Sequence, residues 1–291
     1  MNRAGAVTTL ARRALLALPL FLLGGCVESL FYHPDRVRYE TPAALGLRYE
    51  AVRFRSADGT ELSGWFIPAT GRADPRQAKG TVIHFHGNAQ NMSAHWRFVA
   101  WLPEEDFNVF VFDYRGYGES EGKPQQRGLF EDSVSAIGHV RSRADVDPTR
   151  LLVFGQSLGG TNAIAAVGSG QREGVRAVAI ESTFYSYSSI ASDTLRGGGV
   201  LVGDTYAASN YVAAISPIPL LLIHGTADAV IPLAHSQRLL ADAREPRRLV
   251  EVEGAGHLEP LRAPRYGTTY QRVLLDFFDA ALKQAPSTPG G

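Results

Sequence analysis

Six short apolar runs constrain this chain more than anything else in it. They are Thr81-Val82-Ile83-His84-Phe85, Asn108-Val109-Phe110-Val111-Phe112, Leu151-Leu152-Val153-Phe154, Ala177-Val178-Ala179-Ile180, Leu220-Leu221-Leu222-Ile223 and Leu249-Val250-Glu251-Val252. A strand with one wet face alternates, whereas near-continuous apolarity is the pattern of parallel strands covered on both faces. The stretches between the runs are long enough for crossover helices, as at 127–143 and 158–167. Residues 270–282 place Val273, Leu274, Phe277, Phe278 and Leu282 at helical spacing. Ahead of the runs, Val52-Arg53-Phe54-Arg55 alternates, Ala57-Asp58-Gly59-Thr60 supplies a turn, and Leu62-Ser63-Gly64-Trp65-Phe66-Ile67 returns, which is a β-hairpin signal. A hairpin leading into β–α repeats predicts an α/β fold, with a mostly parallel central sheet of about eight strands flanked by helices.

One stretch breaks this rhythm. Residues 184–216 lie between two buried strands, are rich in Tyr, Ser and Gly, and contain Gly197-Gly198-Gly199, which a helix does not tolerate cheaply. They are expected as a short insertion over the C-terminal edge of the sheet, where α/β proteins bind ligands. The folded domain is expected over residues 49–284, with 285–291 a Pro/Gly-rich disordered tail. Lys+Arg and Asp+Glu balance at 29 each, so no basic face is announced and nucleic acid is not an expected partner. The single cysteine, Cys26, excludes an intramolecular disulfide and any zinc site built on several cysteines.

The first 25 residues read as a signal peptide. Arg12-Arg13 precedes an apolar run from Ala14 to Leu23, which is too short to span a bilayer and suits a secretory h-region. Leu23-Gly24-Gly25-Cys26 then resembles the bacterial lipobox. That resemblance implies cleavage before Cys26, lipidation of its thiol, and a lipid-anchored tether over 26–48 facing the periplasm. Valine rather than aspartate after Cys26 leans toward the outer membrane. More than one acyl chain is what makes such an anchor stable.

Gly155-Gln156-Ser157-Leu158-Gly159 matches Gly-x-Ser-x-Gly, and so does Gly118-Glu119-Ser120-Glu121-Gly122. Only a serine between a buried strand and a helix has its Oγ lifted above the sheet by the sharp turn. Ser157 follows Leu151-Leu152-Val153-Phe154 and precedes a helix-like stretch with small residues at its start. Ser120 is followed by Gly122-Lys123-Pro124 and reads as a surface loop. Ser157 is therefore the candidate nucleophile. A hydroxyl nucleophile needs a base, and the base needs an orienting carboxylate, in the chain order Ser, acid, His. His257, in the Gly-containing loop after the last run, is the favoured base over His224 at a strand end and His235 in an expected helix. Asp228, in the loop after Leu220-Leu221-Leu222-Ile223, is the favoured acid, with Glu181 and Asp204 behind it. The loop His86-Gly87-Asn88-Ala89 offers the Asn88 amide to an oxyanion hole whose second donor is the Leu158 amide. His84 and His86 share a strand face, yet no third metal ligand is evident, and packing is the plainer reading.

These elements together resemble the α/β-hydrolase superfamily. They are His86-Gly87-Asn88-Ala89, Asp113-Tyr114-Arg115-Gly116-Tyr117-Gly118-Glu119-Ser120, Gly155-Gln156-Ser157-Leu158-Gly159-Gly160, His224-Gly225-Thr226-Ala227-Asp228 with Val230-Ile231-Pro232, and Gly254-Ala255-Gly256-His257, in order across about 50–282. The pattern is similar to the branch holding serine-aminopeptidase-like domains and depalmitoylating thioesterases. The resemblance implies cofactor-free hydrolysis of esters, thioesters or amides, a small-molecule or lipid-like acyl substrate, and a short cap at about 184–216. An acyltransferase or a peptidase would use the same triad. A non-catalytic envelope binding protein would not need it. A nicotinamide enzyme is disfavoured, because no Gly-x-Gly-x-x-Gly follows an early strand.

Overall fold

The hairpin forms where the alternation places it. Strand β1 (Glu50–Arg55) turns Val52 and Phe54 inward and Arg53 and Arg55 outward, and pairs antiparallel with β2 (Glu61–Ile67). The Asp58 carboxylate accepts the Thr60 amide in the turn, where Gly59 takes φ +88°. A computed structural model describes residues 31–284, apart from 196 and 263 and the side chain of Leu201.

The six apolar runs become β3 (Gly80–Phe85), β4 (Phe107–Phe112), β5 (Leu151–Gln156), β6 (Val175–Glu181), β7 (Leu220–Gly225) and β8 (Arg247–Val252). With the hairpin they make one eight-stranded sheet in the order β8-β7-β6-β5-β3-β4-β2-β1, parallel except for β2, which runs antiparallel to both β1 and β4. Every residue of β3 to β7 is buried, as continuous apolarity requires, while the edge strand β8 is half exposed. Crossovers between parallel neighbours need a dozen or more residues. After a short α1 (Met92–His95), helix α2 (Gln126–Ser142) carries the chain from β4 over β3 to β5, helix α3 (Leu158–Gly168) joins the neighbours β5 and β6, and both cover one face around Ile83, Val153 and Ile180. The terminal helix α6 (Thr269–Lys283) covers the other face with Phe278 and Leu274, beside Trp96 and Leu102. Helices α4 (Tyr187–Thr194) and α5 (Ala234–Asp242) complete the set.

Two segments are packed more intimately than their composition suggests. In 184–216, Ser186 caps α4 in a reciprocal capping box with Ser189. Ala207, Ala208, Val212 and Ile215 are then buried in the core beside α3, so part of the insertion is domain packing. Contact there is close: a Cβ on Gly168 would lie 2.4 Å from the Tyr211 carbonyl. Residues 31–48, read from sequence as tether and approach, also lie against the domain. Tyr32 and Pro42 are buried, Phe31 packs on Phe184 and Tyr187, and His33–Pro34 pairs in parallel with Ala89–Gln90. The apolar ring of Phe31 and the amides of Asn88 and Asn91 hold this segment down.

The Tyr114-Arg115-Gly116 motif locks the hairpin to α2. Arg115 is 4% exposed, and its guanidinium bonds to both Asp132 oxygens, to Asp58 and to Ser56. Removing one partner of such a pair strands a buried charge. Asp132→Ala is therefore expected to lower unfolding free energy by about 3–5 kcal/mol, measured by urea denaturation; a loss under about 1 kcal/mol would contradict this account.

Candidate active site

Strand β5 ends at Gln156, and the next residue turns the chain sharply. Ser157 sits at φ 52°, ψ −123°, a region that costs a non-glycine residue about 1–3 kcal/mol. The turn is held from several sides. The Ser157 amide donates to the Glu181 carbonyl at 3.0 Å, and its own carbonyl accepts the Thr183 hydroxyl at 2.7 Å and the Gly160 amide at 3.0 Å. The flanking glycines are packing sites: a Cβ on Gly155 would lie 2.7 Å from the Gly160 Cα, and one on Gly159 would lie 2.0 Å from the Phe85 carbonyl oxygen. Ser157 is thus fixed where α3 starts, with the positive end of the helix dipole beside it.

The loop 86–89 follows β3 and lies against the same serine: a Cβ on Gly87 would stand 3.6 Å from the Ser157 Cβ. The Asn88 side chain is turned to the N-terminal segment. Its amide nitrogen donates to the Phe31 carbonyl, and its oxygen accepts the His33 amide and the Tyr117 hydroxyl. That leaves the main-chain amide as the part of Asn88 suited to an oxyanion. His95, not singled out in the sequence, is buried behind this loop and donates from Nε2 to the Ala89 carbonyl at 2.9 Å. Burial pushes both His95 and His84 down to about 3, so both imidazoles are neutral.

Asp228 and His257 meet across neighbouring loops after β7 and β8, with His257 Nδ1 2.8 Å from Asp228 Oδ2. An ionised carboxylate only accepts, so Nδ1 carries the proton and Nε2 is left with its lone pair outward. Burial opposes the charge on Asp228. Hydrogen bonds from His224, His257 and the Ile231 amide outweigh that and hold it well below the usual carboxylate range. Its Oδ1 accepts the Val230 and Ile231 amides at 2.9 Å each. His224 is buried structure, bonded to Ser236 and the Ile231 carbonyl, and also lies 3.3 Å from Asp228 Oδ2. His235 lies in α5 and pairs with Asp193 while accepting the Tyr185 amide, and Asp204 serves the Ser188 amide within the insertion. Ser120 corrects the sequence reading. It is not on a surface loop but fully buried, donating to the Asp113 carbonyl and accepting the Ser63 amide.

Glu181, the second candidate acid, has another task. One oxygen accepts the Gln156 side chain at 2.6 Å, the other the Leu261 amide at 3.3 Å, and Gln156 in turn bonds His84 at 2.8 Å. A buried relay therefore runs from Gln156, the residue before Ser157, to the loop that carries His257. A cleft of about 730 Å³ opens beside His257, between segment 89–98 and segment 257–264. Among the described residues no three His, Cys, Asp or Glu side chains are gathered to hold a metal, and His84 and His86 are packed in the core.

The family described as serine aminopeptidase, S33, matches residues 76–203. The fold resembles the solved esterase Pf2001 of Pyrococcus furiosus, with a TM-score of 0.70 at 21% identity over 86% of this chain and 97% of that one. The chain belongs to the α/β-hydrolase superfamily and is by family a hydrolase. It is 48% identical over 269 residues to the protein YfhR of Escherichia coli K12, covering 92% of this chain and 93% of that one. It is 33% identical to the α/β-hydrolase domain-containing protein WAV2 of Arabidopsis thaliana, covering 84% and 82%.

The relay yields a pH prediction. Burial pushes Glu181 up to about 7, against the hydrogen bonds from Gln156 and Leu261, from an ordinary 4.5. Between those two values the folded protein holds a proton that the unfolded chain has released, so stability falls as pH rises through this window. In Glu181→Gln the titration is gone. The new amide is accommodated if Gln156 flips and His84 takes its other tautomer. Wild type should lose about 2 kcal/mol of stability relative to Glu181→Gln between pH 5 and pH 7. A difference that is flat with pH, in denaturant titrations at each pH, would refute it.

Proposed function

We propose that the chain is a serine hydrolase of carboxylic esters or thioesters. The observations that carry this reading are the 2.8 Å contact between His257 and Asp228 and, at the end of β5, a serine held in a strained turn. A binding protein has no need of either. His257 Nε2 takes the Ser157 proton as Oγ attacks the acyl carbon. The Asn88 and Leu158 amides hold the oxyanion, and His257 returns the proton to the departing alcohol or thiol. Water then attacks the acyl-enzyme by the same route, and Asp228 keeps the imidazole in the required tautomer. No cofactor takes part. Acyl transfer to an alcohol or amine would use the same steps with another acceptor.

The test is fluorophosphonate labelling and p-nitrophenyl ester turnover by the full chain in detergent. Ser157→Ala should lose both and stay folded. Asp228→Asn should keep the fold and lose about 10⁴ in kcat, because its amide favours the wrong imidazole tautomer. Turnover retained in Ser157→Ala would end this reading.

The lipid anchor belongs to the same proposal. Cys26 lies outside the described residues, as do the signal peptide and the tail. No helix among the described residues is long and apolar enough to cross a membrane. Phe31, five residues after Cys26, is docked on Phe184 and Tyr187. A lipid on Cys26 would therefore hold the domain within about 18 Å of the bilayer surface, at about 3.5 Å per residue. In a bacterial host with an outer membrane, labelled palmitate should enter the wild-type chain and not Cys26→Ser. Equal incorporation would exclude the anchor.

A further inference from the structure

The cleft beside His257 carries an uncommitted positive charge. At about 730 Å³ it falls within the size range of small-molecule sites. His257 stands on its wall, and in the cycle above His257 gives its proton to the departing oxygen or sulfur. The part of the substrate that must lie next to it is the leaving group. Of the two carboxylates of the wall, Glu40 is gripped by two nitrogens of Arg97, whereas Glu259 has one oxygen on the Gly256 amide at 2.8 Å and keeps its charge, with no ion pair among the described residues. The Tyr39 hydroxyl is likewise turned away, to Asp35.

Arg262 remains. It is exposed, its guanidinium lies 5.2 Å from the centroid of the Phe98 ring, and it makes no ion pair among the described residues. Stacking on an aromatic face steadies a guanidinium while leaving its N–H fork directed outward, the geometry that matches a carboxylate or phosphate. We infer that Arg262 is a specificity residue, selecting leaving groups that bear an anionic substituent in the esters or thioesters cleaved at Ser157. This rests on the hydrolase reading above. In the step concerned, the acyl–sulfur or acyl–oxygen bond breaks as the bond to Ser157 Oγ forms. The leaving atom takes the proton held by His257, and its anionic substituent stays paired with Arg262 until release.

The test uses the full chain in detergent and butyryl thioesters of four thiols: 3-mercaptopropionate, 2-mercaptoethyl phosphate, neutral 2-mercaptoethanol and cationic thiocholine. Thiol release gives kcat/KM for each. Comparing variant with wild type on the same pair of thioesters cancels their intrinsic reactivity. Arg262→Gln should lower the anionic-to-neutral ratio about fivefold, and Arg262→Glu should move the preference toward thiocholine. The wild-type preference should weaken in high salt. The carboxylate and phosphate arms show which anion fits better, and a drop in either ratio supports the inference. Ratios unchanged in both variants, or an equal fall on all four thioesters, would overturn it. So would the same Arg262 dependence for a succinyl thioester of 2-mercaptoethanol, whose charge sits on the acyl side. Fluorophosphonate labelling of each protein separates the two claims. Labelled wild type without charge discrimination defeats this inference alone, whereas folded wild type that neither labels nor turns over defeats the hydrolase reading and this inference with it.

Discussion

The site depends on Ser157 keeping a backbone conformation that it would not adopt by itself. At φ 52°, ψ −123° the residue stores strain, and the surroundings must over-determine it. They do so from three elements. Strand β6 takes the Ser157 amide through the Glu181 carbonyl, the loop after β6 reaches back with the Thr183 hydroxyl, and α3 closes on the turn through the Gly160 amide. The close approach of β3 to Gly159 leaves no room for a side chain at that position. Each of these contacts needs the parallel strands at their observed spacing, so the continuous apolarity of β3, β5 and β6 and the strained turn at Ser157 share one physical cause.

Two buried carboxyl groups lie at the ends of neighbouring strands, Glu181 closing β6 and Asp228 in the loop after β7, and their surroundings separate their roles. Asp228 receives two main-chain amides on one oxygen and His257 on the other, which favours its charged form and aims that charge at the imidazole. Glu181 is as deeply buried, but its donors are the Gln156 amide and the long bond from the Leu261 amide, and desolvation wins. Both oxygens of Glu181 are occupied in joining strand to loop. Asp228 alone has an oxygen on His257, and this decides between two acids that occupy comparable strand-end positions in the chain.

Much of this is legible in the amino-acid order because it arises from local pattern. A run such as Leu151 to Phe154 declares burial on both faces, Gly155 and Gly159 declare a turn with no room for Cβ atoms, and the loops carrying Asp228 and His257 follow their strands directly. What stayed hidden is decided by partners far along the chain. Ser120 looks exposed because its neighbours are Glu and Gly; its burial comes from Ser63, 57 residues earlier, on the hairpin. Residues up to 48 look like a tether because polar residues are mixed with Pro34 and Pro42, yet Asn88 and Asn91 bond the Phe31 and Val37 carbonyls from across the fold. Arg262 carries no motif at all. Its place over Phe98 follows from the packing of two loops separated by some 160 residues, and no local periodicity records that.

The same distant packing fixes Asn88. In the proposed mechanism its main-chain amide faces the reacting oxygen, and such a donor must have its own orientation fixed, or it reorganises when charge develops. The Asn88 side chain supplies that restraint by spending its amide and carbonyl on Phe31, His33 and Tyr117, while His95 holds the adjacent Ala89 carbonyl from beneath. The restraint runs through residues 31–33, where Phe31 and His33 bond the Asn88 side chain. A leader that merely tethered the domain would need neither the buried Tyr32 nor the pairing of His33–Pro34 with Ala89–Gln90.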